Sequence, residues 1–208
     1  MKKLIKEVKD LRNSKVRTIV NKRLKEFDTL HKKPSKEWFS ELCYCILTAN
    51  SKAITALNIQ KELGAKGFCE FCQRKLSSTI KRNKHRFHNN KAKYITQARC
   101  HTDIKTKIKK MPETEARVWI VKNIKGLGYK EASHFMRNVG YKNLAILDRH
   151  ILNVMHNHKL LKQKPKTLSK KNYLEIESQF LNLAKKLNMS AAELDLYMWY
   201  MKTGKILK

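Results

Sequence analysis

The sequence predicts an all-α protein. Apolar residues recur at helical spacing along most of the chain, the 208 residues include only 6 Gly and 3 Pro, and no Asn-Gly or Asp-Gly turn separates alternating runs. Average usage is roughly 7% Gly and 5% Pro, so strands and tight hairpins are hard to place. A length near 200 suits one large domain or two small ones sharing a core, and 41% apolar residues are enough to fill it.

Residues 3–27 read as one amphipathic helix, interrupted near Asn13 and Ser14. After the break at 31–34, Ser35 is placed as the N-cap of a helix in which Trp38, Phe39, Leu42, Cys43 and Ile46 repeat at three and four. That helix runs toward Leu47-Thr48-Ala49-Asn50-Ser51, where polarity returns. Further helices are expected over 53–63, 68–82, 91–108, 114–124, 130–139, 149–158, 169–187 and 191–203. The last carries a capping box, Ser190 with Glu193, and Gly204 as its stop. No internal repeat or low-complexity linker interrupts the series.

Lys and Arg number 47 against 17 Asp and Glu, a formal charge of +30. Charge of this size attracts polyanions, which makes nucleic acid the leading partner class and an acidic membrane surface the second. No stretch approaches the roughly 18 uninterrupted apolar residues of a membrane span. The first residues, MKKLIKEVKDLRNSK, follow their positive charges with an amphipathic pattern instead of an apolar signal region. An intracellular, cytoplasmic protein with no membrane association is expected.

The five cysteines (Cys43, Cys45, Cys69, Cys72, Cys100) are expected to be reduced. Cys69 and Cys72, with His85 and His88 beyond, approach a two-Cys, two-His zinc spacing. The H-x2-H ending is too short, and QRKLSSTIKRNK lacks the spaced apolar residues that fill a finger. The reading is therefore a buried cysteine pair with two polar-loop histidines, and no metal or cofactor is expected. Residues 81–93 concentrate basic side chains around Phe87. They suit a solvated loop and equally a nucleic-acid contact, with Lys and Arg on phosphates and the ring on a base.

Two of the six glycines fall in one turn, Gly126-Leu127-Gly128, between the helices of 114–124 and 130–139. Such a turn implies positive φ or a close backbone approach, and its free N–H groups can bind a phosphate. Beyond it, Ala132, Phe135, Met136 and Val139 form a core stripe, leaving Lys130, His134 and Arg137 on the opposite, polar face. Farther on, Ile146-Leu147-Asp148-Arg149-His150 positions Asp148 to cap the next helix. By themselves, Lys130 is one surface lysine among many and Asp148 a cap.

Together, Ile124 to Lys130 and the downstream Asp148 resemble the helix-hairpin-helix and Asp signature of the endonuclease III superfamily of DNA repair glycosylases, in the branch with Lys at the first position. The iron–sulfur branch is disfavoured, because the last cysteine is Cys100. The segments 128–135, 145–152 and 195–208 are similar to the compact, mainly archaeal type 2 family of 8-oxoguanine DNA glycosylase/AP lyases. The resemblance spans nearly the whole chain and is weak in the first 30 residues.

That resemblance implies two helical subdomains with the active-site cleft between them: 34–144, including the hairpin at 114–139, and 1–33 together with 145–208. It implies a monomer that excises 8-oxoguanine from double-stranded DNA and cleaves the strand, associated with the nucleoid through DNA. Lys130 would be the nucleophile, and a basic, partly desolvated setting would favour its free amine. Asp148 would stabilise charge on the sugar and move protons. Lys125, Gly126, Gly128 and Arg149 would meet the DNA.

In the last helix, Leu194, Tyr197, Met198 and Met201 form the core stripe, while Asp195 and Trp199 share another face. That face is a second packing surface or, by the resemblance, the base pocket. In the pocket reading Trp199 stacks, Asp195 lines or orders, and Lys208 with its free carboxylate reads the base edge. The oxidised base differs from guanine by a C8 oxygen and an N7–H, so an acceptor facing N7 discriminates best. Phe87 is a further stacking candidate. Asn50 is either a helix C-cap or the amide that fills the gap left by the flipped base. Two alternatives remain: a glycosylase for oxidised pyrimidines, and a non-catalytic helix-hairpin-helix DNA-binding protein.

Overall fold

The computed structural model spans residues 1–208 and is built from helices alone. Helices α1 (Lys2–Arg12) and α2 (Val16–Lys32) follow one another around a bend. There the Ser14 hydroxyl donates to the Leu11 carbonyl at 2.8 Å and accepts the Val16 N–H at 3.2 Å, closing one helix and opening the next. Helix α3 (Ser35–Thr48) begins directly after Pro34, so Ser35 is its first helical residue and not its cap. Proline takes the cap position because its missing N–H costs nothing there, while its carbonyl accepts the Glu37 N–H at 3.0 Å. Trp38 Nε1 donates to the Leu30 carbonyl at 3.0 Å and pins the corner between α2 and α3.

Every residue of α3 from Trp38 to Leu47 is buried, which makes it the central helix of the first core. Around it gather α4 (Ala53–Glu70), α5 (Gln73–Arg82), α6 (His88–Ala98), α7 (Ile104–Ile108), α8 (Glu113–Asn123) and α9 (Tyr129–Asn138). Their apolar faces form a cluster of 28 buried residues running from Trp38 to Leu144. The second core has 23 buried residues and draws on α1, α2, α10 (Arg149–Asn157), α11 (Lys170–Lys186) and α12 (Ala191–Thr203). The chain passes from the second core to the first between Phe27 and Trp38, and it returns at a single peptide bond, with Leu144 in the first core and Ala145 in the second.

Three expected helices divide differently. The helix over 53–63 continues to Glu70 through a kink at Gly64 (φ 58°), and α5 starts only at Gln73. The expected span 91–108 begins earlier, at His88, and splits into α6, a 3-10 turn at Arg99–His101, and α7. Arg99 is tied to both breaks. It ends up beside the C-terminus of α4, where its guanidinium donates to the Phe68 carbonyl at 2.9 Å and to the Phe71 carbonyl. A contact between residues this far apart leaves no trace in apolar periodicity. The expected buried cysteine pair is also corrected: Cys69 is half-buried and Cys72 exposed, while His85 is buried and hydrogen-bonded to the Leu47 carbonyl. No three His, Cys, Asp or Glu side chains converge as a metal site requires. No helix is long and apolar enough to cross a membrane.

The two cores are joined by a buried ion pair. Arg117 of α8 meets Glu177 of α11 through two bonds of 2.6 and 2.8 Å, with the arginine 1% exposed. Glu177 Oε1 also accepts the Ala145 N–H at 2.9 Å, where the chain returns to the second core. Removing one partner strands the other charge without water. Glu177→Ala should therefore lower unfolding stability by about 3–5 kcal/mol. In urea titration the double change Arg117→Met/Glu177→Leu should be less destabilised than that single change; the reverse order would show that the pair itself carries the stability.

Candidate active site

The turn between α8 and α9 is shaped by one glycine more than the other. Gly126 has φ +89°, and a Cβ there would lie 2.5 Å from Cδ2 of Tyr94. Gly128 is extended (φ −96°, ψ −172°) and N-caps α9, where its N–H donates to Glu131 Oε2 at 3.3 Å. Positive φ and close approach thus explain Gly126 alone, and any residue could adopt the Gly128 backbone. Leu127 between them is buried, whereas Lys125, Gly126 and Gly128 are exposed. Lys125 Nζ stands 5.9 Å from the centre of the Tyr94 ring. The turn therefore presents bare backbone and a cation at the start of a helix, a setting that favours an anion.

Helix α9 buries Ala132, Phe135 and Met136 in the first core, as its periodicity implies. Its opposite face does not reach water as expected. Arg137 is 4% exposed and ion-paired with Asp195 of α12, while Nε and Nη2 donate to Asn138 Oδ1 at 3.1 and 2.9 Å. His134 packs edge-on to Tyr44, with ring centres 5.7 Å apart. Burial, then the charges of Arg137, Lys130 and Lys208, hold its imidazole well below the usual range. Periodicity separated apolar from polar side chains; it could not separate solvent from a second core.

Lys130 stands at the start of α9, its side chain 34% exposed, with Nζ 2.8 Å from Glu131 Oε1. Asp148 N-caps α10 and accepts the Ile151 N–H at 2.8 Å. Burial raises its carboxyl above the usual range, while the Ile151 N–H and the charges of His150 and Lys130 pull it back. Lys130 and Asp148 each begin a helix, and the lysine charge acts on the aspartate carboxyl. Lys91 of α6 adds a second amine, buried and donating to the Ile46 carbonyl at 2.7 Å. Burial lowers it to about 8, with Glu131 raising it and Lys130 lowering it.

The chain is similar to known proteins over its whole length. Residues 20–189 match the family model described as 8-oxoguanine DNA glycosylase. The chain belongs to the 8-oxoguanine DNA glycosylase family. The 8-oxoguanine DNA glycosylase/AP lyase of Methanocaldococcus jannaschii is 46% identical over 206 residues, covering 99% of each chain. A crystal structure of the glycosylase/lyase from that organism, in complex with a 15mer DNA containing 8-oxoguanine, superposes with a TM-score of 0.96 at 46% identity and 99% coverage of each chain. The endonuclease III of a non-covalent DNA complex is 18% identical with a TM-score of 0.58, covering 89% of this chain and 83% of that one, a likeness of fold.

In this member of the 8-oxoguanine DNA glycosylase family, Asp195 and Trp199 have different surroundings. Asp195 is buried against Arg137; burial raises its carboxyl to about 6, with Arg137 opposing and Asp148 adding to the rise. Trp199 is half-buried and packs edge-on to His150, with ring centres 4.9 Å apart. Lys208 is anchored by its ammonium, 2.5 Å from Glu41 Oε2 and 2.8 Å from Gln60 Oε1, above the Tyr44 ring at 4.5 Å. The backbone of Lys208 also acts on the His134 imidazole, raising it against burial and the neighbouring charges. Asn50, Phe87 and Arg149 are exposed, Asn50 in a turn with φ 60°.

Sequence reasoning missed Glu41, Gln60, Tyr44, Asn138, Glu131, Lys91 and His150. A signal existed for Glu41, a single carboxylate near the middle of an otherwise apolar helical stripe, and for His150, next but one to Asp148. Glycine substitutions in the hairpin separate its two positions. Gly126→Ala should cost about 1–3 kcal/mol, because a left-handed backbone and the Tyr94 ring both oppose a Cβ. Gly128→Ala should cost no more than about 1 kcal/mol, the usual loss at a cap. Thermal denaturation of both variants checks the order, and equal losses would remove the distinction.

Proposed function

We propose that this chain is a bifunctional DNA glycosylase and AP lyase that removes 8-oxoguanine from duplex DNA and then cleaves the strand. The observation that carries the reading is an amine and a carboxylate, Lys130 and Asp148, each at a helix N-terminus and coupled by charge. Identity of 46% to an 8-oxoguanine DNA glycosylase/AP lyase over the full length supports the substrate. The cores act as two subdomains, 34–144 and 1–33 with 145–208, and the DNA enters between them. The protein works as a monomer inside the cell, on the nucleoid, where its substrate lies.

Lys130 must lose a proton before it attacks, and Glu131 Oε1 is the acceptor already within reach. The free amine attacks the sugar C1′, the bond from C1′ to the base breaks, and the base leaves. Ring opening gives a protonated imine between C1′ and Nζ. Loss of a C2′ proton then expels the 3′ phosphate by β-elimination, and water releases the lysine. Asp148 stabilises positive charge on the sugar and carries protons between steps. Lys125, Gly126, Gly128 and Arg149 hold phosphates. Trp199 stacks on the extruded base, Lys208 reads its edge, Asp195 orders the pocket through Arg137, and Phe87 and Asn50 enter the duplex.

Borohydride trapping tests the chemistry. Wild type should form a covalent complex with an 8-oxoguanine duplex, and Lys130→Gln should form none. Equal trapping by both would overturn the assignment, and no trapping with salt-dependent binding would favour the non-catalytic alternative. Greater excision of oxidised pyrimidines in the same panel would replace the substrate. Pocket order is tested separately through Glu41. Glu41→Gln loosens Lys208, so excision of 8-oxoguanine should fall by about tenfold, the worth of one charge-assisted hydrogen bond. Incision at a preformed abasic site should fall less, and equal losses would place Lys208 outside base recognition.

A further inference from the structure

Asn50 and Phe87 lie on different loops, yet one buried imidazole is bonded to Phe87 and to Leu47, three residues before Asn50. His85 is 2% exposed. Its Nε2 is 2.9 Å from the Leu47 carbonyl near the end of α3, and its Nδ1 is 3.2 Å from the Phe87 backbone nitrogen. A backbone N–H can only donate, so Nδ1 is the bare nitrogen. Nε2 then carries the proton and donates it to Leu47. One neutral tautomer satisfies both bonds, and a second proton would break the link to Phe87. Burial keeps the imidazole neutral, the Leu47 bond opposes it, and the charges of Lys91, His88 and Arg86 act with burial.

Each bond holds an exposed side chain a few residues away. Beyond Leu47 the helix ends at Thr48 and turns through Ala49 to Asn50, whose left-handed φ of 60° turns the chain sharply. The preceding carbonyl, Ile46, is held by Lys91, so α3 ends on fixed partners. On the other side Phe87 N-caps α6, and its carbonyl accepts the Lys91 N–H at 2.9 Å. The Phe87 ring leans edge-on against His85, centres 6.4 Å apart, and remains 40% exposed. The Arg86 guanidinium stands 5.1 Å from the centre of that ring. An exposed aromatic face beside a cation suits a base stack bordered by phosphates.

We propose that His85 is a positioning residue that holds the Asn50 turn and Phe87 as one rigid wedge, so that both enter the duplex together as the lesion is extruded. The proposal rests on the reading of Asn50 and Phe87 as residues that enter DNA. His85 meets no nucleotide itself. Its contribution is to order two loops before binding, so that opening the base stack does not also require ordering the protein.

His85→Asn tests this. The shorter side chain still accepts the Phe87 N–H two residues on, in an Asx-type bond, but no longer reaches Leu47. The readout is the ratio of excision from a paired 8-oxoguanine duplex to excision of the same lesion in an unpaired bubble, with 2-aminopurine fluorescence beside the lesion reporting unstacking. The ratio should fall by about tenfold, as one lost hydrogen bond implies. His85→Asn combined with Asn50→Ala should be no worse than the more impaired single variant. Equal losses on both substrates, or additive losses in the double variant, would overturn the proposal. If Asn50→Ala and Phe87→Ala leave the ratio unchanged, the wedge reading fails and takes this proposal with it. If those two lower it and His85→Asn does not, only the coupling fails. Should His85→Asn not fold, His85→Gln, which keeps a donor near Leu47 and releases Phe87, must show the same fall in the ratio.

Discussion

Helix α9 has no face left to water that is free of partners, and the rest of the molecule is arranged around that constraint. One side is buried in the first core through Ala132, Phe135 and Met136. The other meets the second core, where Arg137 is paired with Asp195 and the neighbouring Ser133 accepts from Arg117 at 3.2 Å. A buried guanidinium without a carboxylate is strongly unfavourable, so α12 and α11 must each supply one at a fixed place. Lys130 and the glycine turn inherit that rigidity, since they begin the same helix. The candidate nucleophile is thus set by packing one to two helical turns away from it.

Glu41 extends the constraint to the C-terminal segment. It is 1% exposed and accepts bonds from Lys208 Nζ, from Gln60 Nε2 at 3.1 Å and from Asn138 Nδ2 at 2.6 Å. Through Asn138 and Arg137 the polar chain reaches Asp195, so it runs from the first core into the second. Every partner in such a chain is satisfied by the next, which makes a unique arrangement cheaper than any partial one. The high net charge has a different part. Most of the basic side chains are exposed and supply long-range attraction for DNA, while the few buried cations, Arg117, Arg137 and Lys91, hold the fold together.

The helices were legible wherever one helix faces one core. The expected span 191–203 coincides with α12, and its ends carry chemistry readable from neighbours: Ser190 accepts the Glu193 N–H at 3.1 Å, and Gly204 has φ 67°. Asp148 capping α10 is equally local. Boundaries failed where distant groups intervened, at Phe71–Cys72 and Arg99–His101. In the candidate site, the residue types at Lys130, Asp148 and the glycine turn stood out. The groups that hold Lys208, Trp199 and Phe87 did not, because Glu41, His150 and His85 are common residues whose roles come from what lies across the fold.

The sequence by itself determined the all-helical class, the caps that start and stop several helices, and the placing of a glycine turn, Lys130 and Asp148 at helix starts. These follow from interactions within a few residues, which spacing and side-chain type specify. Only the tertiary structure decided which polar faces are dry, which tautomer His85 adopts, and that the Lys208 ammonium points inward to Glu41 and Gln60. The reason is physical: burial and charge pairing depend on surfaces brought together from remote parts of the chain, and a buried charge takes whichever partner packing leaves within reach.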